Sequence, residues 1–436
     1  RQNDSLQNNR IERVNHSNSY YLKSQLIKTE KSNLSVFLNY RTLKYEDVNL
    51  KDEPSLNSRI LYSDRYFGQL IQTTTAYETS SGTIAQQEFT YLQVAPGQGV
   101  YMWNDYNSNG IQELQEFEIA PYPDLAIYVR VFLPNQVFVR THQNKFSQSV
   151  TLNPNQWQNE KGFKHFLSYF YNQTSFLGER KIKRIGSDFD FNPLSSNDTN
   201  LLGLNSSFRN SLFYNRGKQS HSITWTFIAN QLKSLLSVGF QQSKNKIYQL
   251  QYAHLLKKTW LFSLSTETSE TDLFSENFIS KNFEVDSYQI NPKISYLFNK
   301  NASWDIFYEF QQKENQIGAL ERLTQTRFGT TFTYNSEKGF SMNGEFSMYN
   351  NSYDGNALSA VGFQMLEGLQ PGKNQTWRLL LQKNLTQFLD ININYQGRNI
   401  ETSKTIHTGN VQLLSLIHIS EPTRQAEISY AVFCLK

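Results

Sequence analysis

The sequence is poor in cysteine, in charged residues and in long apolar runs, and each shortage excludes a class of protein. One Cys in 436 residues allows no disulfide within the chain. With 14% aromatic residues at 18% charged, the composition differs from that of disordered chains, which lack aromatic rings. No run approaches the roughly 18 apolar residues of a membrane-spanning helix. The net charge of +4 is spread along the chain, so we expect no nucleic-acid partner.

The sequence is instead rich in segments in which apolar and polar residues alternate. Between residues 222 and 229, aromatic and aliphatic side chains alternate with hydroxyl groups, and the same period of two recurs at 304–310 and 389–396. No long window keeps the spacing of i, i+3, i+4 and i+7 that an amphipathic helix needs. The sequence therefore predicts an all-β chain.

The alternating segments are longer than the five or six residues of an average strand, and their connections tend to alternate in length. The connection at 299–302 is short, that at 313–322 long and that at 336–338 short, whereas 384–387 is short where a long one is due. Transmembrane barrels combine an apolar face toward lipid, a polar lumen and this alternation of turns. We predict an antiparallel transmembrane β-barrel of many strands over residues 1–413.

The period of two also predicts which side chains face lipid and which face the lumen. The residues that we expect to face lipid are Trp225, Phe227, Trp304, Ile306, Phe328, Phe332, Ile391 and Ile393. Those that we expect to face the lumen are Asp305, Glu309, Asp390, Asn392 and Asn394.

Both ends of the chain carry expectations of their own. The chain begins without Met or a signal peptide and enters strand-like sequence at once, so we expect it to be truncated at its N-terminus. Residues 414–424 (LSLIHISEPTR) and 428–435 (ISYAVFCL) resemble translated sequencing adapter, and we expect 414–436 to be a non-native tail outside the fold. Because that tail holds Cys434, the rest of the chain offers no thiolate nucleophile and no Cys-based zinc site.

One motif carries chemistry. Residues 105–116 match D-x-[DN]-x-[DN]-G-x5-E, the calcium loop in which side-chain oxygens, one main-chain carbonyl and a bidentate carboxylate surround the ion. Gly110 provides the sharp turn, and Glu113 would hold a water. We predict Ca²⁺ as a cofactor. The predicted ligands are Asp105, Asn107, Asn109, Ile111 (through its carbonyl), Glu113 and Glu116.

The flanks of this motif are not helical, because Pro and Gly precede it and an extended pattern follows. We therefore predict an EF-hand-like loop inserted at 97–134 in a β protein, with weak affinity of about 10⁻⁴ to 10⁻³ M. The alternative is a plain Asn109-Gly110 turn joining two strands, with surface acids nearby.

Several stretches resemble a known family. These are 99–134, 365–377 (MLEGLQPGKNQTW), 392–399 (NINYQGRN) and 406–413 (IHTGNVQL), and they are similar to large, uncharacterised outer-membrane β-barrel proteins of Bacteroidota. The resemblance implies location in the outer membrane of a Gram-negative cell. It also implies membrane lipid and the barrel-assembly machinery as partners, and it implies almost nothing about activity.

Three functions are compatible with the sequence. The leading hypothesis is an outer-membrane barrel with a surface or periplasmic calcium-binding loop and a role in transport, secretion or surface scaffolding. The alternatives are a secreted calcium-binding β-sandwich adhesin and a hydrolase embedded in a barrel. The sequence contains no G-x-S-x-G motif, P-loop or dinucleotide fingerprint, so we do not predict an enzyme.

Overall fold

A computed structural model of the chain describes residues 2–7, 10–47, 53–184, 189–193, 200–217, 220–236, 239–336, 339–386, 389–401, 404–415 and 429–435. Within these residues the chain is predominantly β-structure. The strands are β1 (Gln2–Gln7), β2 (Arg10–Lys28), β3 (Asn33–Tyr45), β4 (Glu53–Tyr66), β5 (Ile71–Gln93), β6 (Tyr101–Trp103), β7 (Phe117–Ile119), β8 (Tyr128–Leu152), β9 (Phe170–Lys183), β10 (Leu201–Tyr214), β11 (His221–Leu236), β12 (Gly239–Leu256), β13 (Trp260–Ser275), β14 (Phe283–Asn299), β15 (Ala302–Asn315), β16 (Arg322–Ser336), β17 (Phe340–Asp354), β18 (Gly372–Thr386), β19 (Leu389–Ile400), β20 (Ile406–Ser415) and β21 (Ser429–Leu435).

The helices are short. They are α1 (Phe163–Leu167), α2 (Ala360–Leu366) and the 3₁₀ turns Leu114–Glu116, Pro154–Trp157 and Ile279–Lys281. In the part of the chain that is described, no helix has the length and apolar character needed to cross a membrane.

All strands belong to one antiparallel sheet. Each strand pairs with the next along the chain, except that β5 pairs with β8 and the small β6–β7 hairpin branches off between them. This meander is the simplest antiparallel topology, since every connection joins neighbouring strands. The prediction of an all-β antiparallel fold is confirmed.

The two faces of the sheet differ in an unusual way. On β14, Ile294 is 43% exposed whereas the next residue, Ser295, is 3% exposed. The face that carries Ile294 is called here the outer face, and the other the inner face. Five of the residues expected to face lipid are exposed on the outer face: Trp225, Trp304, Ile306, Phe328 and Phe332. Glu309, which was expected to face the lumen, is buried on the inner face. The sheet therefore exposes its apolar face and buries its polar one.

The sheet is strongly curved. Asp124 forms a two-pronged ion pair with Arg398 of β19, and Asp124 precedes Tyr128, the first residue of β8, by four residues. Four residues span at most about 14 Å. In a flat sheet, however, β8 and β19 would lie about 50 Å apart at about 4.8 Å per strand. Only a sheet that curls toward its inner face brings these strands together.

Connections differ between the two ends of the sheet. Those at one end are mostly short, apart from 153–169, which contains α1, and 416–428; those at the other, called here the mouth, are mostly longer, apart from 8–9 and 237–238. The exception that the sequence suggested at 384–387 disappears, because α2 makes 355–371 a single long connection and the connection between β18 and β19 falls at the short end. At the short end, 29–32, 67–70, 257–259, 300–301, 337–339 and 387–388 have two to four residues, and 215–220 has six. At the mouth, 401–405 has five residues, whereas 46–52, 94–127, 184–200, 276–282, 316–321 and 355–371 have six to 34.

The prediction of a closed barrel is not met. Among the described residues, no ladder joins β21 to β1, so both strands are edges of the sheet. The physical reason lies in strand length: β1 has six residues and β21 seven, whereas every other strand of the meander has ten or more. Short edge strands offer few hydrogen bonds with which to form a seam.

The C-terminal segment also differs from expectation. Residues 429–435 pair with β20 from Leu413↔Ser429 to His407↔Leu435, although the sequence was expected to lie outside the fold from residue 414. The segment ISYAVFCL is rich in β-branched and aromatic residues, and β20 offers it a row of main-chain donors and acceptors. Pairing therefore follows from local composition, whatever the origin of the segment.

Apolar burial is concentrated at the mouth. Val285 and Leu323, on the inner faces of β14 and β16, pack with Val361, Met365 and Leu366 of α2. Ser359 caps α2 by accepting a hydrogen bond from the Gly362 N–H. The helix thus sits inside the curve of the sheet, where it covers the inner face.

Candidate functional site

The predicted inserted loop begins and ends earlier than expected. We placed it at 97–134, but β8 begins at Tyr128, so the insert comprises residues 94–127 and is called the insert below. Residues 128–134 continue the alternating pattern and belong to β8. At the root of the insert, Phe117 stacks on Tyr91 of β5 with ring centroids 4.0 Å apart and meets Tyr128 edge-on. These rings fix the insert to the strands from which it arises.

The calcium motif forms the connection between β6 and β7. Trp103 pairs with Phe117, so the two strands are separated by the whole of 104–116 and the alternative of a tight two-residue turn is wrong. Both oxygens of Asp105 accept hydrogen bonds from the loop main chain, from Asn109 N at 3.1 Å and Gly110 N at 2.8 Å. Gly110 has φ of +70°, in the left-handed region that favours glycine. The loop has strands rather than helices on both sides, as predicted.

Two further predicted ligands are linked to the same loop. Asn107 Oδ1 accepts from Asn109 N at 3.0 Å, and Asn107 Nδ2 donates to Glu113 Oε2 at 2.9 Å. Asn109 Oδ1 accepts from Ile111 N at 2.6 Å. The structure therefore brings Asp105, Asn107, Asn109 and Glu113 into one hydrogen-bonded loop.

Glu116 occupies the position of the bidentate ligand and is the most buried acid of the motif, at 1% exposure. Its Oε2 accepts from Trp103 Nε1 at 2.7 Å and from Glu113 N at 3.3 Å. Its Oε1 is buried and has no hydrogen-bond partner among the described residues. A buried carboxylate oxygen without a partner is costly, and a bound cation would satisfy it. This oxygen fits the role that the motif assigns to Glu116.

The carboxylates of the motif are nevertheless not gathered. Within the described ranges, no group of three or more His, Cys, Asp or Glu side chains lies close enough to hold a metal ion. Two of the six predicted ligands are Asn side chains and one is a main-chain carbonyl, so the ligand set relies on neutral oxygens. If Ca²⁺ binds, Asp105, Asn107, Asn109, Ile111, Glu113 and Glu116 would hold it, and its charge would offset the repulsion between the three acids.

The segment that follows the motif crosses the mouth. Lys281, between β13 and β14, pairs with Glu118 at 2.8 Å and donates to the carbonyl of Phe117 at 3.1 Å. Both side chains of this ion pair are about nine-tenths buried. Gln364 of α2 donates to the other oxygen of Glu118 at 3.3 Å. Calcium motif and crossing segment are therefore contiguous in sequence.

A second contact lies farther round the curve. Arg398 of β19 donates to both oxygens of Asp124, at 2.6 and 2.7 Å, and both side chains are buried. The guanidinium also stacks on Tyr122 at 4.1 Å. Burial raises the pKa of Tyr122 to about 12, and the neighbouring Arg398 acts in the opposite direction. Sequence reasoning missed both residues, because Asp124 and Arg398 are 274 positions apart and match no motif.

The hydrolase alternative directs attention to histidines. His142 is fully buried, with Thr79 Oγ1 at 2.8 Å from Nε2 and Ser81 Oγ at 3.3 Å from Nδ1. Phe189 and Phe191 cover the ring. A general base needs access to a substrate proton, and the full burial of His142 denies it that access. The surroundings of His142 are those of a packed histidine.

Neither a scan against protein-family models nor a search of curated proteins found a match to this chain.

Proposed function

We propose that the chain is part of an outer-membrane β-barrel of a Gram-negative cell envelope, with a calcium-binding insert across its mouth. The observation that carries the proposal is the exposure of large apolar side chains on the outer face while polar side chains are buried on the inner face. In water this arrangement would be unfavourable, but in lipid it is the expected one. A sandwich would instead bury its apolar faces between two sheets.

The dimensions of the apolar band support the proposal. On β17 it runs from Phe340 to Met348, about 26 Å along the strand at about 3.3 Å per residue. A tilt of about 40° reduces this to about 20 Å, close to the band of about 25 Å that outer-membrane barrels present to lipid. Toward the mouth the same outer face becomes charged, with Lys246 paired to Glu270 at 2.7 Å. Strands that continue beyond the membrane need such a polar outer face.

The lengths of the connections supply an orientation. In outer-membrane barrels the short turns face the periplasm and the long loops face the exterior. By that rule the mouth, with the insert and α2, lies on the cell surface. Calcium there would be drawn from the medium, which suits the weak affinity expected of the motif.

The position of the insert favours a role in passage through the barrel over a purely structural one. The insert extends from β5 and β8 to Lys281 and Arg398, and α2 packs beside it on the inner face. A solute entering from the exterior would meet these two elements first. We therefore place transport or secretion ahead of surface scaffolding.

Cell fractionation tests the proposal. The chain, expressed behind a signal peptide in a Gram-negative host, should be recovered from the outer membrane only with detergent. Unheated samples should migrate on gels differently from boiled ones, because folded barrels resist denaturation by detergent. Recovery in the soluble fraction without detergent would overturn the barrel proposal and favour the secreted adhesin.

A further inference from the structure

A cavity of about 260 Å³ lies between the insert and the inner face of β17, β18 and β19. Pro121 and Tyr122 of the insert form one wall, and Tyr349, Arg378 and Gln396 contribute to the other. Small-molecule sites usually begin at about 300 Å³, so this space suits one small solute. Two separate parts of the chain would then enclose that solute.

Of the charged side chains that line the cavity, all but one form an ion pair with another described residue. Arg398 is held by Asp124, and Glu345 is held by Arg327 at 2.5 Å. Arg378 is exposed beside them, and within the described part of the chain it has neither an ion pair nor a hydrogen bond. Although Glu345 lies opposite Arg378 in the ladder, its carboxylate also accepts from Ser347 at 3.2 Å. One guanidinium is thus left to bind a ligand.

The shape and chemistry of the walls narrow the class of ligand. A guanidinium presents paired N–H donors that match the two oxygens of a carboxylate. The rings of Tyr122 and Tyr349 provide flat apolar surfaces with polar ends, and Gln396 and Thr376 add neutral hydrogen-bonding groups. We propose that the cavity binds an acidic monosaccharide, or a hydroxylated carboxylate of that size, with its carboxylate on Arg378. The inference goes beyond the proposed function, because it holds whether or not the sheet spans a membrane.

Calorimetry on the detergent-solubilised chain tests this site with three probes: glucuronate, glucose and inorganic phosphate. Glucuronate should bind more tightly than either of the others, since only glucuronate has both the ring and the carboxylate. Arg378→Gln should weaken glucuronate binding about tenfold or more, because a hydrogen bond to a charged group is lost. Arg378→Lys should retain part of the affinity. The matched control is Arg209→Gln, an exposed arginine of β10 that does not line the cavity, and it should bind as the parent does.

Three results would overturn the proposal. They are no glucuronate binding at millimolar concentrations, glucose or phosphate binding as tightly as glucuronate, and glucuronate binding to Arg378→Gln as tightly as to the parent. The unheated gel mobility of each variant reports its folding independently. A variant that folds and loses glucuronate binding supports the site. Failure of the site would leave the membrane proposal intact, because fractionation measures the latter separately.

Discussion

The middle of the strands and the mouth follow opposite rules, although the same strands run through both. In the middle of β14, Ile294 is exposed on the outer face and Ser295 is buried on the inner one. At the mouth end of the same strand, Val285 is buried on the inner face and Glu284 is exposed on the outer one. The hydrophobic side of the strand therefore changes along its length.

The difference teaches that the surroundings, and not the strand, decide which face is apolar. An apolar outer face in the middle is favourable where lipid surrounds the sheet, and a charged outer face at the mouth is favourable in water. Inside the mouth, α2 and the insert exclude water, so apolar residues there behave as in an ordinary protein core. The following substitutions probe each side of this comparison, beginning with the largest expected effect.

The buried ion pair at the mouth should be the most sensitive feature. Arg398→Gln leaves Asp124 buried without a cation, and we expect a loss of about 3 to 5 kcal/mol from the docking of the insert. Limited proteolysis should then cleave the insert faster. The double variant Arg398→Gln with Asp124→Asn should recover part of the loss, because no lone charge remains. Equal cleavage of parent and single variant would show that the insert does not depend on this pair.

The small core at the mouth should respond like the interior of a soluble protein. Leu323→Ala removes a side chain that is 1% exposed, and we expect a loss of about 2 to 5 kcal/mol in denaturant unfolding. The matched change Ile306→Ala, on the exposed outer face of the middle region, should cost clearly less. Similar losses at both positions would mean that the two regions do not differ as described.

The middle of the outer face should reject charge, whereas the mouth end of that face should accept it. Ile306→Arg should cost about 2 to 4 kcal/mol near the midplane of a bilayer and reduce the fraction that folds. Glu284→Arg, on the outer face near the mouth, should produce no measurable change. Folded fractions can be read from unheated gel mobility after refolding into lipid vesicles. Equal tolerance of both changes would argue against a membrane around the middle region.

Calcium should have the smallest effect. A site with Kd of about 10⁻⁴ M would contribute about 1.4 kcal/mol at millimolar Ca²⁺, enough to protect the insert from proteolysis. Glu116→Gln should remove most of this protection and Asn107→Ala less, because the first loses the bidentate carboxylate. The control Glu160→Gln lies at the short-turn end and should behave as the parent. Calorimetry without a binding signal up to several millimolar would refute the calcium hypothesis.

Much of the fold was predictable from the sequence. Alternation predicted the strands and placed Trp225, Trp304 and Phe328 on one exposed face, because a period of two is a local property of the chain. The calcium motif correctly predicted a loop between extended segments. The sequence did not predict α2, since a helix of seven residues is too short to show a periodicity.

The candidate site was only partly predictable. Glu116 was assigned from its motif, but neither its burial nor the link from Lys281 to Glu118 could be read from sequence. Arg378 becomes a candidate ligand-binding residue only because the insert forms the opposite wall of its cavity. Such relations depend on how a curved sheet brings distant strands together, and one sequence carries no signal of that curvature.

The separation of Asp124 and Arg398 has a consequence for the order of assembly. Neighbouring strands of the meander meet through local contacts, whereas this ion pair joins residues 274 positions apart. Contacts between distant residues form late, because the chain between them must first lose its freedom. The contact of Asp124 with Arg398 can form only after β19 has joined the sheet, so this side of the mouth stays open until the sheet is nearly complete. Newly made chains should therefore pass through a stage in which the insert is cleavable and the strands are already protected.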